Sequence, residues 1–149
     1  MSIKKIAALV FSLSVSNAYA GFVYKDFADV SDLQLNGDAI QSTNNLRLTS
    51  STTWQSGSAF YTDSISLDDN ASFSTAFDFL ITESGGIGNP AGADGIVFTM
   101  NTIANNVGGT GGGIGYEGIP NSFGVEFDTY NNGGWDNNDG NHVGMRNLH

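Results

Sequence analysis

Cysteine is absent from this chain of 149 residues. No disulfide framework can tie it together, so stability has to come from a sizeable core, from bound ions, or from both. Basic residues are also scarce: five Lys and Arg stand against fifteen Asp and Glu. A surface this acidic repels nucleic acid and anionic lipid, which argues against both as partners. Proline occurs only twice, no long stretch carries a 3.6-residue apolar period, and no internal repeat is present. No apolar run is long enough to span a membrane. What is abundant is glycine, twenty residues of it, with many Asn, Ser and Thr. That is the composition of short strands joined by turns.

The first twenty residues read as a leader. Lys4 and Lys5 form a basic start, residues 6–15 an apolar stretch, and Ala18-Tyr19-Ala20 a small-residue cleavage site, the pattern of a secretory signal peptide. The mature chain is expected to begin near Gly21 and to be exported, to the extracellular space or a periplasm. Beyond the leader only Lys25, Arg47 and Arg146 oppose the fifteen acids, a net charge of −12. Residues 21–149 are the length of one ordinary domain.

Alternation and punctuation mark the strands. Candidates are residues 22–27, 33–35 (closed by Asn36-Gly37-Asp38), 46–49 and 59–61. The clearest is 72–81, where Phe73, Thr75, Phe77, Phe79 and Ile81 share one face. Residues 95–100 repeat the pattern, 123–130 follow, and a last strand starts at 142–145. Glycine-rich loops intervene at 84–94 and 107–115. The second is no phosphate cradle, because no Lys-Ser/Thr pair follows it. Many strands without helices between them predict an all-β fold, an antiparallel β-sandwich or jelly roll.

The chemistry concentrates near the C-terminal end. In residues 123–130, Phe123, Val125 and Phe127 point one way and Glu126, Asp128 and Tyr130 the other. Two carboxylates on one strand face repel each other and lose hydration if covered, and a hard cation between them relieves both penalties. Residues 131–142 add Asn132, Asp136 and His142. Oxygen donors suit calcium, magnesium or manganese, and one imidazole shifts the balance toward a transition metal, so this is a candidate site for more than one ion. The run Asp136-Asn137-Asn138-Asp139-Gly140 is not an EF-hand loop, since Gly sits fifth and no Glu closes the twelfth position.

These residues also resemble a known family. Leu33-Gln34-Leu35-Asn36-Gly37-Asp38-Ala39 followed by Leu46-Arg47-Leu48-Thr49 is similar to the opening of the legume-type (L-type) lectin domain. Ala71-Ser72-Phe73-Ser74-Thr75-Ala76-Phe77-Asp78-Phe79 resembles its next strand, Ala93-Asp94-Gly95-Ile96-Val97-Phe98 its Ala-Asp-Gly segment, and Gly112-Gly113-Ile114-Gly115 its glycine loop. Val125-Glu126-Phe127-Asp128-Thr129-Tyr130, with Asn132, Trp135, Asp136 and His142, resembles its metal strand and loop. The five motifs stand in the family's order across nearly all of the expected mature chain. The leader and the looser glycine loops fit a bacterial exported member.

The resemblance implies specific roles. Glu126, Asp128, Asp136 and His142 would hold a transition ion, usually manganese. Asp128 and Asp136 would bridge to a calcium completed by Asn132 and the backbone carbonyl of Tyr130. Asn132, Asp94 and the backbone N–H of Gly112 would then hydrogen-bond sugar hydroxyls, with the Tyr130 ring as an apolar platform, and the Ala93–Asp94 peptide would be cis. Asp139 competes with Asp136 as second acid, the latter favoured by the preceding Trp135, and Gly113 competes with Gly112. Glycans or glycoconjugates are the expected partners, and oligomeric state stays open. Since the family domain continues past His142-Val143-Gly144, the chain is expected to be a truncated, N-terminal portion of the domain with exposed sheet edges.

Two other functions compete. Jelly-roll glucanases carry a Glu-x-Asp-x-Glu run, and glycoside hydrolysis needs two suitably spaced carboxyls. Tyr130 occupies the third position here, so the general acid is missing and no catalysis is expected. A structural surface protein stapled by metals would bind calcium and no sugar. Trp54 and Trp135 read as packing residues.

Overall fold

Glycine and asparagine punctuate this chain so often that its strands stay short. The computed structural model describes residues 21–67, 72–82 and 92–148. Its strands are β1 (Leu33–Gly37), β2 (Ile40–Ser42), β3 (Asn45–Arg47), β4 (Gly57–Tyr61), β5 (Gly95–Met100), β6 (Ser122–Asp128) and β7 (His142–Leu148). Every pairing among them is antiparallel: β1 with β4, β2 with β3, and the three-stranded order β5-β6-β7. The described residues hold no α-helix, only two single 3₁₀ turns, Gly111–Gly113 and Gly133–Asp136. The all-β antiparallel class expected from the sequence is the class observed. No helix among the described residues is long and apolar enough to cross a membrane.

Register decides which side chains meet, because residues directly opposite in an antiparallel pair share a face. Ile96, Phe98 and Met100 lie opposite Phe127, Val125 and Phe123, and Val143 and Met145 lie opposite Phe127 and Val125. One face of the sheet is therefore apolar. The other carries Gly95 and His142 on either side of Asp128, Gly144 opposite Glu126, and Arg146 opposite Gly124.

The glycine-rich loop covers this second face. Tyr116 and Ile119, each 1 % exposed, are its most deeply buried side chains. The Tyr116 ring lies so close to Gly124 that a Cβ there would come within 2.8 Å of it. Its hydroxyl donates to the Arg146 carbonyl at 3.1 Å and accepts from the Ser122 hydroxyl at 3.2 Å. Polar side chains tie the β1–β4 pair to the same loop. Ser56 Oγ donates to the Gly108 carbonyl at 2.7 Å, and Asn36 Nδ2 to that of Ala104 at 2.9 Å.

Three expected strands come out differently. Residues 72–81 join no strand ladder among the described residues. Phe77 stacks on Phe98 and meets Phe127 edge-on, and Phe79 also reaches Phe127. Alternation marked the apolar side correctly, but it cannot supply a neighbouring strand edge. Residues 22–27 are irregular, and Asp26 and Asp29 accept the N–H groups of Ala28 and Ser31. Such Asx turns compete with a ladder. Lastly, β6 stops at Asp128 because that carboxylate takes the Tyr130 N–H at 2.7 Å, so Tyr130 belongs to the loop. The expected glycine loop at 84–94 lies mostly outside the described residues.

Candidate functional site

Site geometry starts from the end of β6. Asp128 is 4 % exposed and Glu126 6 %. The register sets His142 directly opposite Asp128, and the 3₁₀ turn Gly133–Asp136 returns Asp136, 8 % exposed, to the same place. One donor atom from each of Asp128, Asp136 and His142 falls within 4.8 Å of the others. His142 Nδ1–H donates to the Asp139 carbonyl at 3.1 Å, which leaves Nε2 as the free ring nitrogen. Such an outer hydrogen bond is the usual way a ligating imidazole is oriented.

The loop between these ligands is held by its own amides. Asn131 Oδ1 accepts from the Gly133 N–H at 2.7 Å, and its Nδ2 donates to the Asn138 carbonyl at 2.9 Å. Asn137 and Asn138 take left-handed conformations, φ 52° and 62°, which Asn tolerates better than most residues. The Asn132 N–H donates to Asp136 Oδ2. Of the two competing acids, Asp136 joins the cluster, whereas Asp139 uses its carboxylate on the Asn141 N–H at 3.0 Å.

A second group meets this loop from the start of β5. The Ala93–Asp94 peptide is cis, and the Asp94 carbonyl accepts from the Thr129 N–H at 2.8 Å. Asn132 Nδ2 reaches Asp94 Oδ1 at 3.5 Å. The Asn132 amide also lies against Gly112, so closely that a Cβ there would sit 3.0 Å from its Nδ2. The neighbouring Gly113 N–H is engaged by the Thr110 carbonyl at 3.3 Å. Thr110, Gly112, Gly113, Glu117, Asn132 and Trp135 line an open hollow of about 300 Å³. A larger hollow of about 460 Å³ among residues 23–32 shares no residue with this site.

Electrostatics mark the cluster as short of positive charge. Burial pushes the Asp128 carboxyl above its ordinary range and Asp136 adds to the rise; the Tyr130 N–H, His142 and Arg146 oppose it. Asp94 is likewise raised by burial and by Asp128 and Asp136, against the Asn132 hydrogen bond. Buried carboxylates that repel one another, an available imidazole nitrogen and nearby carbonyls suit a hard divalent ion beside a borderline one. The residues present fit both kinds.

Not every expected ligand is in the cluster. Glu126 lies on the right face, but its Oε1 pairs with Arg146 Nε at 3.2 Å. Trp135 and Trp54, expected to pack, are 73 % and 74 % exposed, and Trp135 lines the hollow. A tryptophan set among Gly, Asn and Asp has no apolar neighbours in sequence to be buried with, and that was the available signal. Glu117 on the wall of the hollow and Arg146 beside Glu126 escaped the sequence reading, because both depend on contacts between separate elements.

Comparison with known proteins agrees with the all-β antiparallel fold. The family described as "Legume lectin domain" matches residues 19–147. Among curated proteins, the "Lectin alpha chain" of Lablab purpureus is 29 % identical over 154 aligned residues, covering 92 % of this chain and 53 % of the relative. The chain thus spans about half the length of that relative.

Proposed function

The chain belongs to the legume lectin domain family, and from that premise we propose that it binds carbohydrate in the hollow beside Asn132, its contacting groups held in place by calcium and a transition ion such as manganese. The observation that carries this reading is the double attachment of Asn132. Its backbone N–H is bonded to Asp136 of the carboxylate–imidazole cluster, while its side-chain amide contacts both Asp94 and Gly112. Ordering the cluster therefore orders the groups that face the hollow.

In this reading Asp128, Asp136 and His142 would hold the transition ion with help from Glu126, and Asp128, Asp136, Asn132 and the Tyr130 carbonyl would hold calcium. The ions supply the positive charge that offsets buried carboxylates. Asp94, Asn132 and the Gly112 N–H then offer fixed acceptors and donors to sugar hydroxyls. Tyr130, joined by the exposed Trp135, offers a flat apolar surface to a sugar face. Sugars present directional hydroxyls and weakly apolar C–H faces, so preorganised partners are what binding them requires. Catalysis forms no part of this reading, because Tyr130 stands where a glucanase-like strand needs its acid. The leader pattern of residues 1–20 supports export.

Glycan-array binding in calcium and manganese, repeated after exhaustive chelation, tests the proposal. Binding is expected to vanish with the ions and return with them; binding that survives chelation overturns the mechanism. Hydrolysis of a β-glucan in chelator would favour the hydrolase reading, and ion binding without any glycan would favour a metal-stapled structural protein. Asn132→Ala is expected to lose glycan binding while keeping most of the thermal stability.

A further inference from the structure

Arg146 lies beside Glu126 on the acid face, and its position follows from the register. Gly144 lies directly opposite Glu126, so His142 and Arg146 are the two diagonal neighbours of Glu126 on the same face. A Cβ at Gly144 would lie 3.4 Å from Glu126 Oε2 and 3.9 Å from His142 Nε2, so both groups border Gly144. Glu126 pairs with Arg146, the one salt bridge among the described residues, at 3.2 Å. Consistently, the close cluster contains Asp128, Asp136 and His142 but not Glu126.

Resting on the ion site proposed above, we propose that Arg146 is a built-in counter-charge that draws Glu126 off the ion cluster and selectively weakens the chain's hold on the transition ion. Glu126 is buried, with a side-chain exposure of 8 % against 34 % for Arg146, so its charge needs a partner whether or not an ion is bound. A guanidinium supplies that partner permanently, because Arg does not deprotonate in proteins. The Arg146 backbone is held by the Tyr116 hydroxyl, which donates to its carbonyl. An incoming divalent ion has to displace the guanidinium from Glu126 or share the carboxylate with it, and like charges at one carboxylate repel. In the reading above calcium would be held by Asp128, Asp136, Asn132 and Tyr130 and not by Glu126. The Arg146 charge also reaches Asp128, but its direct pairing is with Glu126, so the effect falls more on the transition ion than on calcium.

Titration calorimetry of the chelator-treated, dialysed full chain with manganese and with calcium tests this, comparing wild type with Arg146→Gln and Arg146→Lys. Arg146→Gln is expected to tighten manganese binding about tenfold or more, within the range by which groups around a metal site tune affinity, and to move calcium binding much less. Arg146→Lys, keeping the charge, is expected to behave as wild type. Adding Glu126→Gln to both the wild type and the Arg146→Gln variant is expected to abolish the difference between them. Should Arg146→Gln fail to fold by circular dichroism, Arg146→Met retains the aliphatic stem and carries the same expectation. Equal or weaker manganese binding in the uncharged variants overturns the role of Arg146 and leaves the ion site standing. Absence of manganese and calcium binding in every protein overturns both.

Discussion

The two faces of the β5–β6–β7 sheet are buried in the opposite sense to their chemistry. Along β6, Ser122, Gly124, Glu126 and Asp128 are buried, whereas Phe123, Val125 and Phe127 between them are only half-buried. On β7 the apolar face is open, with Val143 67 % and Met145 78 % exposed. The difference lies in what covers each side. The acid face is roofed by the glycine-rich loop, with the Tyr116 ring against Gly124 and its hydroxyl bonded to Ser122 and Arg146. The apolar face is touched by Phe77 and Phe79, themselves 45 % and 43 % exposed. Burial here tracks the site, not hydrophobicity. A protein that covers its carboxylates before its phenylalanines needs something to offset their charge.

Breaking the acid face should have the largest effect. If Asp128 is a direct ligand as proposed, Asp128→Asn is expected to weaken ion binding at least about 100-fold, more than the outer groups that tune a site do, and to take glycan binding with it; calorimetry and a glycan array read both. The same variant sharpens the comparison in chelator. Because the Asp128 carboxyl is raised by burial, its charged form disfavours the folded state. Stability of the metal-free wild type from this group is fully present below the ordinary carboxylate pKa of about 4 and falls as pH rises through the raised folded value. In chelator, Asp128→Asn is therefore expected to be more stable than wild type at neutral pH, with the advantage fading as pH approaches 4, as followed by thermal melts.

Removing the ions from the wild type comes next. At an ion concentration one hundred times Kd, chelation is expected to lower stability by about 2–3 kcal/mol, read as a fall in Tm. The roof over the acid face is tested by Gly124→Ala. Its new methyl meets the Tyr116 ring within 3.0 Å and is expected to cost about 1–3 kcal/mol, measured by urea unfolding. Opening the other face should do least: Met145→Ser, at a position already exposed, is expected to shift stability by under about 0.5 kcal/mol. An effect as large as that of Gly124→Ala would show that the apolar face is covered after all.

Much of this contrast was legible in the residues. The bounds of β5 and the face shared by Glu126 and Asp128 follow from alternation, and the Asn, Asp and Gly that lead to His142 marked a donor-rich loop without choosing between Asp136 and Asp139. Tyr130 was misplaced because the strand pattern runs on past the point where the Asp128 side chain captures its N–H. The 72–81 segment shows the same limit from the other side. Its phenylalanines find Phe98 and Phe127 without joining a strand ladder among the described residues. Trp135 was misread because the apolar character of a side chain says what burial would gain, and nothing about whether a surface exists to bury it.

By itself, the sequence determined an all-β antiparallel chain with its carboxylates on one strand face, since side-chain direction along a strand has a fixed period of two. Only the tertiary structure decided which face would be covered, which acid would join His142, and that Glu126 would turn to Arg146. Those outcomes depend on register and on the docking of a distant loop. Both are settled by competition among contacts far apart in the chain, which no local pattern encodes.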